Sequence, residues 1–212
     1  MTGRPPSVPG DAAHWDARYG QAAHEHATVW STTPNATVAA VLSDVTPGTA
    51  VDLAAGEGRN AIWLAERGWD VTAVDFSAAG LDIGRTRAAA RAVTVTWVLA
   101  DATTWAPPAP VDLVLLAYLQ LPAPVLLSVL HRAATWLSPG GRLLVVGHDR
   151  DNLEHGVGGP QDPAVLHTVH LLTAGAAGLV VDRCEQVTRL VPGSDGAQAI
   201  DTVLEAHRVP PR

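Results

Sequence analysis

The sequence predicts an α/β fold: a doubly wound sheet of about seven strands, mostly parallel, with an antiparallel strand supplied by a C-terminal hairpin. Three observations lead there. Short apolar, β-branched runs alternate with helical stretches between residues 50 and 146. A glycine-rich turn, Gly56-Glu57-Gly58, joins the first of these runs to the first intervening helix. Two late strand-like runs, 179–190 and 199–208, flank the turn Pro192-Gly193-Ser194-Asp195-Gly196. Strands alternating with helices imply parallel pairing covered on both faces, whereas two strands joined by a glycine-rich turn imply antiparallel pairing.

The elements follow in order. Residues 1–10, rich in Pro and Gly, form an expected disordered leader with no apolar core of a secretory signal. Residues 11–20 predict a short helix and 21–34 a connection rich in His and Thr; together they form an N-terminal lid segment. Asn35 suits the N-cap of a helix that carries Val38, Val41 and Leu42 on one side. Strands are expected at 50–53, 70–74, 93–99, 111–116 and 142–146, and helices at 60–67, 77–91 and 123–137. Pro139-Gly140-Gly141 stops the last of these helices before the fifth strand. A helix near 167–177 precedes the hairpin. Residues 35–212 make up one core, and the chain is expected to be a single domain.

Composition excludes several chemistries. The chain has 212 residues and a formal net charge of -7, and its 14 basic residues are all Arg. Without lysine there is no Walker-A phosphate loop, lysine Schiff base or pyridoxal-phosphate site. An acidic chain also lacks the clustered positive charge that nucleic-acid binding needs. Cys184 is the single cysteine, which excludes an intrachain disulfide and a Cys-based zinc cage. The longest apolar run, 111–122, is too short to span a bilayer and is broken by Asp112 and Pro122. A cytoplasmic protein with no membrane partner is expected, either a monomer or a homodimer.

The stretch Val51-Asp52-Leu53-Ala54-Ala55-Gly56-Glu57-Gly58-Arg59-Asn60-Ala61 runs from the first strand into a helix. Its glycines permit positive φ and let a ligand approach the backbone. Asp75 ends the second strand about 20 residues on, where a carboxylate can accept from two ribose hydroxyls. Asp101 follows the third strand and can accept from an adenine amino group. Asp52, Asp75 and Asp101 would then face one crevice at the carboxyl edge of a Rossmann-like sheet.

These residues resemble a class I S-adenosylmethionine-dependent methyltransferase. Asp52-Leu53-Ala54-Ala55-Gly56-Glu57-Gly58 is similar to that family's first motif, in which an acidic residue sits inside the strand end. Gly58-Arg59-Asn60 resembles the tellurite-resistance branch and its small-molecule relatives. The resemblance covers roughly residues 35–208. It implies S-adenosylmethionine as cofactor, S-adenosylhomocysteine as product, and roles by position. Residues 54–58, including Ala54, Gly56 and Gly58, would wrap the methionine part, with Asp52 and Asn60 beside them. Asp75 would hold the ribose, and Phe76, Asp101 and Ala102 the adenine. Ala117, Tyr118 and Leu119 would border the transferring methyl group. Trp15-Asp16-Ala17-Arg18-Tyr19 and Trp30 resemble the family's aromatic lid.

The residues after the fourth strand, Ala117-Tyr118-Leu119-Gln120, lack the Asn/Asp-Pro-Pro-aromatic signature of nucleobase amino methylases. Ala117 offers no metal ligand, so no metal is expected. The pairs His24/His26 and His167/His170, and His155, form no complete metal motif. His148 leaves the fifth strand at the active edge and suits a general base, with Asp149 to orient it or to bind a cationic group. The expected activity is methyl transfer by in-line displacement to an O, N or S nucleophile of a small molecule. Two alternatives stay open: non-methyl chemistry by the same cofactor-binding fold, and a NAD-type oxidoreductase.

Overall fold

The computed structural model describes residues 12–24, 29, 31–191 and 195–210. Its helices are α1 (Ala12–His24), α2 (Ala36–Leu42), α3 (Arg59–Glu66), α4 (Ala78–Ala90), α5 (Ala123–Trp136), α6 (Asn152–His155) and α7 (Val169–Gly175). Its strands are β1 (Thr49–Leu53), β2 (Asp70–Asp75), β3 (Thr96–Leu99), β4 (Val111–Ala117), β5 (Leu137–His148), β6 (Val180–Leu190) and β7 (Gln198–His207). The seven strands form one sheet in the order β3-β2-β1-β4-β5-β7-β6. Neighbours from β3 to β5 pair in parallel, and β7 runs antiparallel between β5 and β6. The mostly parallel sheet with an antiparallel C-terminal strand is the architecture the sequence predicts.

Both faces of the sheet are buried along β1, β4 and β5, which is why these central strands read as continuous apolar runs. Val51, Val114, Leu116 and Val145 pack on one face against Leu126, Val129 and Leu130 of α5 and Leu172 of α7. Ala50, Leu113, Leu115 and Val146 pack on the other against Val38 and Leu42 of α2 and Ala61 and Leu64 of α3. The alternation of β4 between the two clusters leaves no polar position between Leu113 and Leu116.

Several boundaries differ from expectation. Helix α1 runs on to His24. β3 starts at Thr96 rather than Val93, because Ala92 adopts a left-handed φ of 53° and Val93 N–H closes the end of α4 on Ala88 O. β5 begins at Leu137, upstream of Pro139-Gly140-Gly141. That tripeptide bulges within the strand: Leu137 faces Val111, and Arg142 faces Leu113. Gly140 N–H and Gly141 O bond to Arg208, so the bulge is tied to the end of β7.

A tight contact under the future site involves Trp97 of β3. A Cβ on Gly84 of α4 would meet its ring at 2.5 Å, and one on Gly58 would meet it at 2.3 Å. The indole therefore fills the space left by two missing side chains and draws α4 and the loop before α3 together. Gly84→Ala overpacks this contact without requiring an unusual φ. We expect a loss of about 1–3 kcal/mol in denaturant-unfolding stability. An unchanged midpoint would show that Trp97 has room to move.

Candidate functional site

The loop between β1 and α3 is built from left-handed residues: Ala54, Gly56 and Gly58 have φ of 62°, 56° and 70°. Asp75, at the end of β2, holds this shape. Its Oδ2 accepts from Gly56 N–H at 2.8 Å, and its Oδ1 accepts from Ser77 N–H at 2.8 Å. Burial pushes the Asp75 carboxyl up from its ordinary range, and these two donors work against that rise. Glu57 is buried and paired with Arg87 of α4, 2.7 Å between Oε2 and Nη1, which fastens the loop from its outer side.

Asp52 stands differently. It is 1% exposed, and its Oδ2 has no hydrogen-bond partner among the described residues. Burial pushes its carboxyl up to about 7, against the opposing influence of Ala61 N–H and the Arg59 charge. Arg59, at the start of α3, lies over the Tyr118 ring with its guanidinium carbon 5.8 Å from the centroid. Its own pKa is lowered by burial. Asp101 caps the turn after β3, its Oδ1 accepting from Thr103 N–H and Oγ1 at 2.7 and 2.8 Å. Arg132 of α5 holds that turn through the carbonyls of Thr103, Thr104 and Trp105.

Helix α1 is docked over the loop by polar and aromatic contacts. Asp16 Oδ1 accepts from Ser77 Oγ at 2.6 Å and from Ala79 N–H at 3.2 Å, at the N-terminus of α4. Tyr19 is 4% exposed and lies on Gly80, where a Cβ would meet its ring at 3.1 Å.

The opposite wall starts where β4 ends. Tyr118 has a left-handed φ of 64° and donates its N–H to Val146 O at 2.7 Å. Its hydroxyl donates to Asp201 Oδ2 at 2.8 Å and accepts from Asn35 Nδ2 and Arg189 Nε, each at 3.0 Å. Burial and the Asp201 charge both push the Tyr118 phenol well above its ordinary value. Asn35 N–H is in turn bound by Asn60 Oδ1 at 2.9 Å, and Asn35 caps α2 as the sequence predicts. The rings of Tyr118 and His148 stack at a tilt, 4.9 Å between centroids.

These parts enclose one cavity of about 590 Å³. Tyr19, Asp52, Ala54, Gly56, Asn60, Asp75, Phe76, Asp101, Ala102, Ala117, Tyr118 and His148 all line it, together with His14, Trp15 and Arg18 of α1 and Gly159, Pro160 and Asp162 of the loop after α6. Three candidates fare otherwise. Gly58 does not line the cavity; its lack of a side chain makes room for Trp97. Asp149 does not line it either and does not orient His148. Its oxygens face Thr202 Oγ1, Gln186 Nε2 (2.8 Å) and Asp151 N–H (2.9 Å), binding the turn after β5 to the hairpin. The carboxylate beside His148 Nδ1 belongs to Asp201, at 3.1 Å. Trp30 lies outside the described residues.

Sequence reading missed Arg59, Asn35, Arg189 and Asp201 as site residues. Asp201 carried a signal, as one of two carboxylates, with Glu205, in the otherwise mostly apolar run of β7. Of the other histidines, His167 is buried with its pKa lowered to about 4 by desolvation, and its Nε2 faces Leu119 O at 3.3 Å. Among the described residues no three His, Cys, Asp or Glu side chains gather as a metal site.

Residues 50–141 match the family model of a methyltransferase domain. The matched segment runs from β1 into β5. It contains the glycine loop, Asp75, Asp101 and Tyr118. Comparison with curated proteins returns no match. Among solved structures, the fold is shared with TehB from Haemophilus influenzae (15% identity, 93% of this chain and 66% of that one, TM-score 0.70). It is also shared with a protein of the conversion of a disulfide bond into a thioacetal group during echinomycin biosynthesis (20% identity, 84% and 82%, TM-score 0.67). A third is magnesium protoporphyrin IX methyltransferase from Synechocystis PCC 6803 with bound S-adenosylmethionine (18% identity, 97% and 86%, TM-score 0.62). At these identities the likeness shows the fold alone.

Asp52 generates a pH prediction. Its folded-state pKa of about 7 lies above its ordinary value of 3.8, so the folded protein holds a proton that the unfolded chain releases. The resulting stability is fully present below about pH 4 and is lost as pH rises through about 7. Asp52→Asn removes this dependence. The variant should gain on the parent by up to about 4 kcal/mol between pH 4 and pH 8. Thermal unfolding of both proteins across that range checks it, and parallel curves would contradict it.

Proposed function

We propose that this methyltransferase domain, whose methyl donor is S-adenosylmethionine, acts on a small molecule bound between Tyr118, His148 and the loop that carries Gly159. The observation that carries the reading is the roofed cavity. Acidic groups and an arginine line the glycine-loop side, a Tyr–His pair lines the other, and α1 and the 159–165 loop cover the space. Its volume is in the range of sites for small ligands, about 300–1,000 Å³. A covered cavity in an acidic chain without lysine suits a small acceptor better than a nucleic acid.

The residues present fit the donor. The unpartnered carboxylate oxygen of Asp52 and the neighbouring Arg59 supply opposite charges for the ammonium and carboxylate of its amino-acid end. Asp75 gives one lone pair of each oxygen to a backbone N–H and keeps others for ribose hydroxyls. Phe76, Ala102 and Asp101 offer an aromatic face, an apolar floor and an acceptor for the adenine. When bound, the donor's sulfonium supplies the methyl group. The chain's own task is alignment and exclusion of water, done by the docked α1 and the glycine-bearing loop. His148, held against Tyr118, is placed to take a proton from the acceptor.

We take residues 12–210 to work as one unit. Among the described residues no helix is long and apolar enough to cross a membrane, and the lone Cys184 suits a reducing, cytoplasmic setting.

Methyl-labelled S-adenosylmethionine incubated with the full chain and a metabolite extract tests the reading. Tellurite belongs in a parallel sample, because of Gly58-Arg59-Asn60. Label is expected in a low-mass product, with His148→Ala slowing transfer about 100-fold or more at saturating acceptor. Label in protein or nucleic acid would contradict the small-molecule assignment. Transfer by His148→Ala at the parent rate across pH would contradict the proton-accepting role.

A further inference from the structure

We propose that Asp201 is the positioning residue that fixes His148 in the Nδ1–H tautomer, leaving Nε2 as the bare nitrogen, and that the acceptor is a protic nucleophile, a hydroxyl or neutral N–H group, which loses its proton as it is methylated. The acceptor half of the proposal rests on the methyl-transfer reading above; the tautomer half stands without it.

Asp201 lies opposite His148 in the antiparallel register of β5 and β7, with no exposed surface. Such a carboxylate is costly unless compensated. Its Oδ2 is compensated by Arg189 Nε at 2.6 Å and by the Tyr118 hydroxyl at 2.8 Å. Its Oδ1 has no hydrogen-bond partner among the described residues, and neither does His148 Nδ1; both atoms are buried, and they lie 3.1 Å from each other, off the line of a straight hydrogen bond. An ionised carboxylate can only accept. A proton shared across this approach therefore sits on Nδ1, and a neutral ring then carries its lone pair on Nε2.

The surroundings support one orientation. Tyr118 stacks on the ring at a tilt, and a Cβ on Gly159 would meet it at 2.7 Å. The remaining charged or titratable groups near the pair are otherwise engaged. Arg189 and Arg59 face the Tyr118 ring, Asp149 is turned to Thr202, Gln186 and Asp151 N–H, and His167, buried beside Gly147, contacts Leu119 O. Asp162 lines the cavity, with its Oδ1 accepting from Ala164 N–H.

A bare Nε2 is useful to an acceptor that must shed a proton. The acceptor's lone pair forms the new bond to the methyl carbon, the pair of the S–CH3 bond returns to sulfur, and the O–H or N–H proton passes to Nε2. An acceptor that arrives as an anion needs no such base.

Two-bond ¹H–¹⁵N correlation spectra of the full chain labelled at histidine, with His148→Ala for assignment, test the tautomer directly. The expected result is a protonated Nδ1 and an unprotonated Nε2 in the parent, with the proton moved to Nε2 in Asp201→Asn. An Nε2–H tautomer in the parent overturns the proposal, and the parent spectrum decides this even if the variant fails to fold. Calorimetry should show S-adenosylhomocysteine binding to Asp201→Asn within about threefold of the parent. With the acceptor returned by the labelling experiment, Asp201→Asn should lower kcat about 100-fold and cost nothing further in a His148→Ala background. Multiplicative losses would make Asp201 merely structural, and a rate indifferent to both substitutions would overturn the protic acceptor. Failure of S-adenosylhomocysteine to bind the parent would sink the methyl-transfer reading and leave the tautomer result intact.

Discussion

The cavity depends first on the carboxylate of Asp75. One oxygen holds Gly56 N–H and the other Ser77 N–H, so a single buried side chain joins the left-handed loop after β1 to the start of α4. The connection continues outward, because Ser77 Oγ caps Gly80 N–H and donates to Asp16 of α1. A hydrogen bond to a charged group contributes about 1.5–3 kcal/mol, and its removal leaves buried N–H groups without partners. Loop, helix start and lid are thus set by one relay, and Asp75 must remain an acceptor for any of them to keep its place.

The two walls of the cavity have different origins. The glycine-loop wall comes from residues close together in sequence and placed by strand ends, as parallel sheets place them at their carboxyl edge. The wall around Tyr118 comes from distant segments: Asn35 before α2, His148 at the end of β5, Arg189 of β6 and Asp201 of β7. Only the antiparallel insertion of β7 between β5 and β6 brings Arg189 and Asp201 to this point. Breaking one partner of such a buried pair leaves an uncompensated charge, at roughly 3–5 kcal/mol. The C-terminal hairpin therefore completes the site as well as the sheet.

That difference explains what was legible in the sequence. Strand and helix alternation, the hairpin, the Asn35 cap and the lining roles of Asp52, Asp75 and Asp101 were readable because each rests on local spacing. Asp149 was a plausible orienting group by adjacency, but successive strand residues point to opposite faces, so it sits away from the ring of His148. Asp201 takes its place through a register 53 residues further on. Gly58 matched a ligand-binding position, yet the crowding of Trp97 against Gly58 and Gly84 depends on a packing no linear pattern encodes. The Pro139-Gly140-Gly141 signal marked an irregularity correctly but not that the strand begins before it.

The chain has no lysine, and the site needs none: its charges are carboxylates and arginines, arranged as Asp52 beside Arg59, Glu57 with Arg87 and Asp201 with Arg189. The central claim is that this arrangement holds a methyl donor rather than a dinucleotide. Titration calorimetry of the full chain with S-adenosylhomocysteine, and separately with NAD, tests it most directly. Saturable one-to-one binding of S-adenosylhomocysteine, lost in Asp75→Ala, with no heat from NAD, is the expected result. Tight binding of NAD with none of S-adenosylhomocysteine would contradict the account.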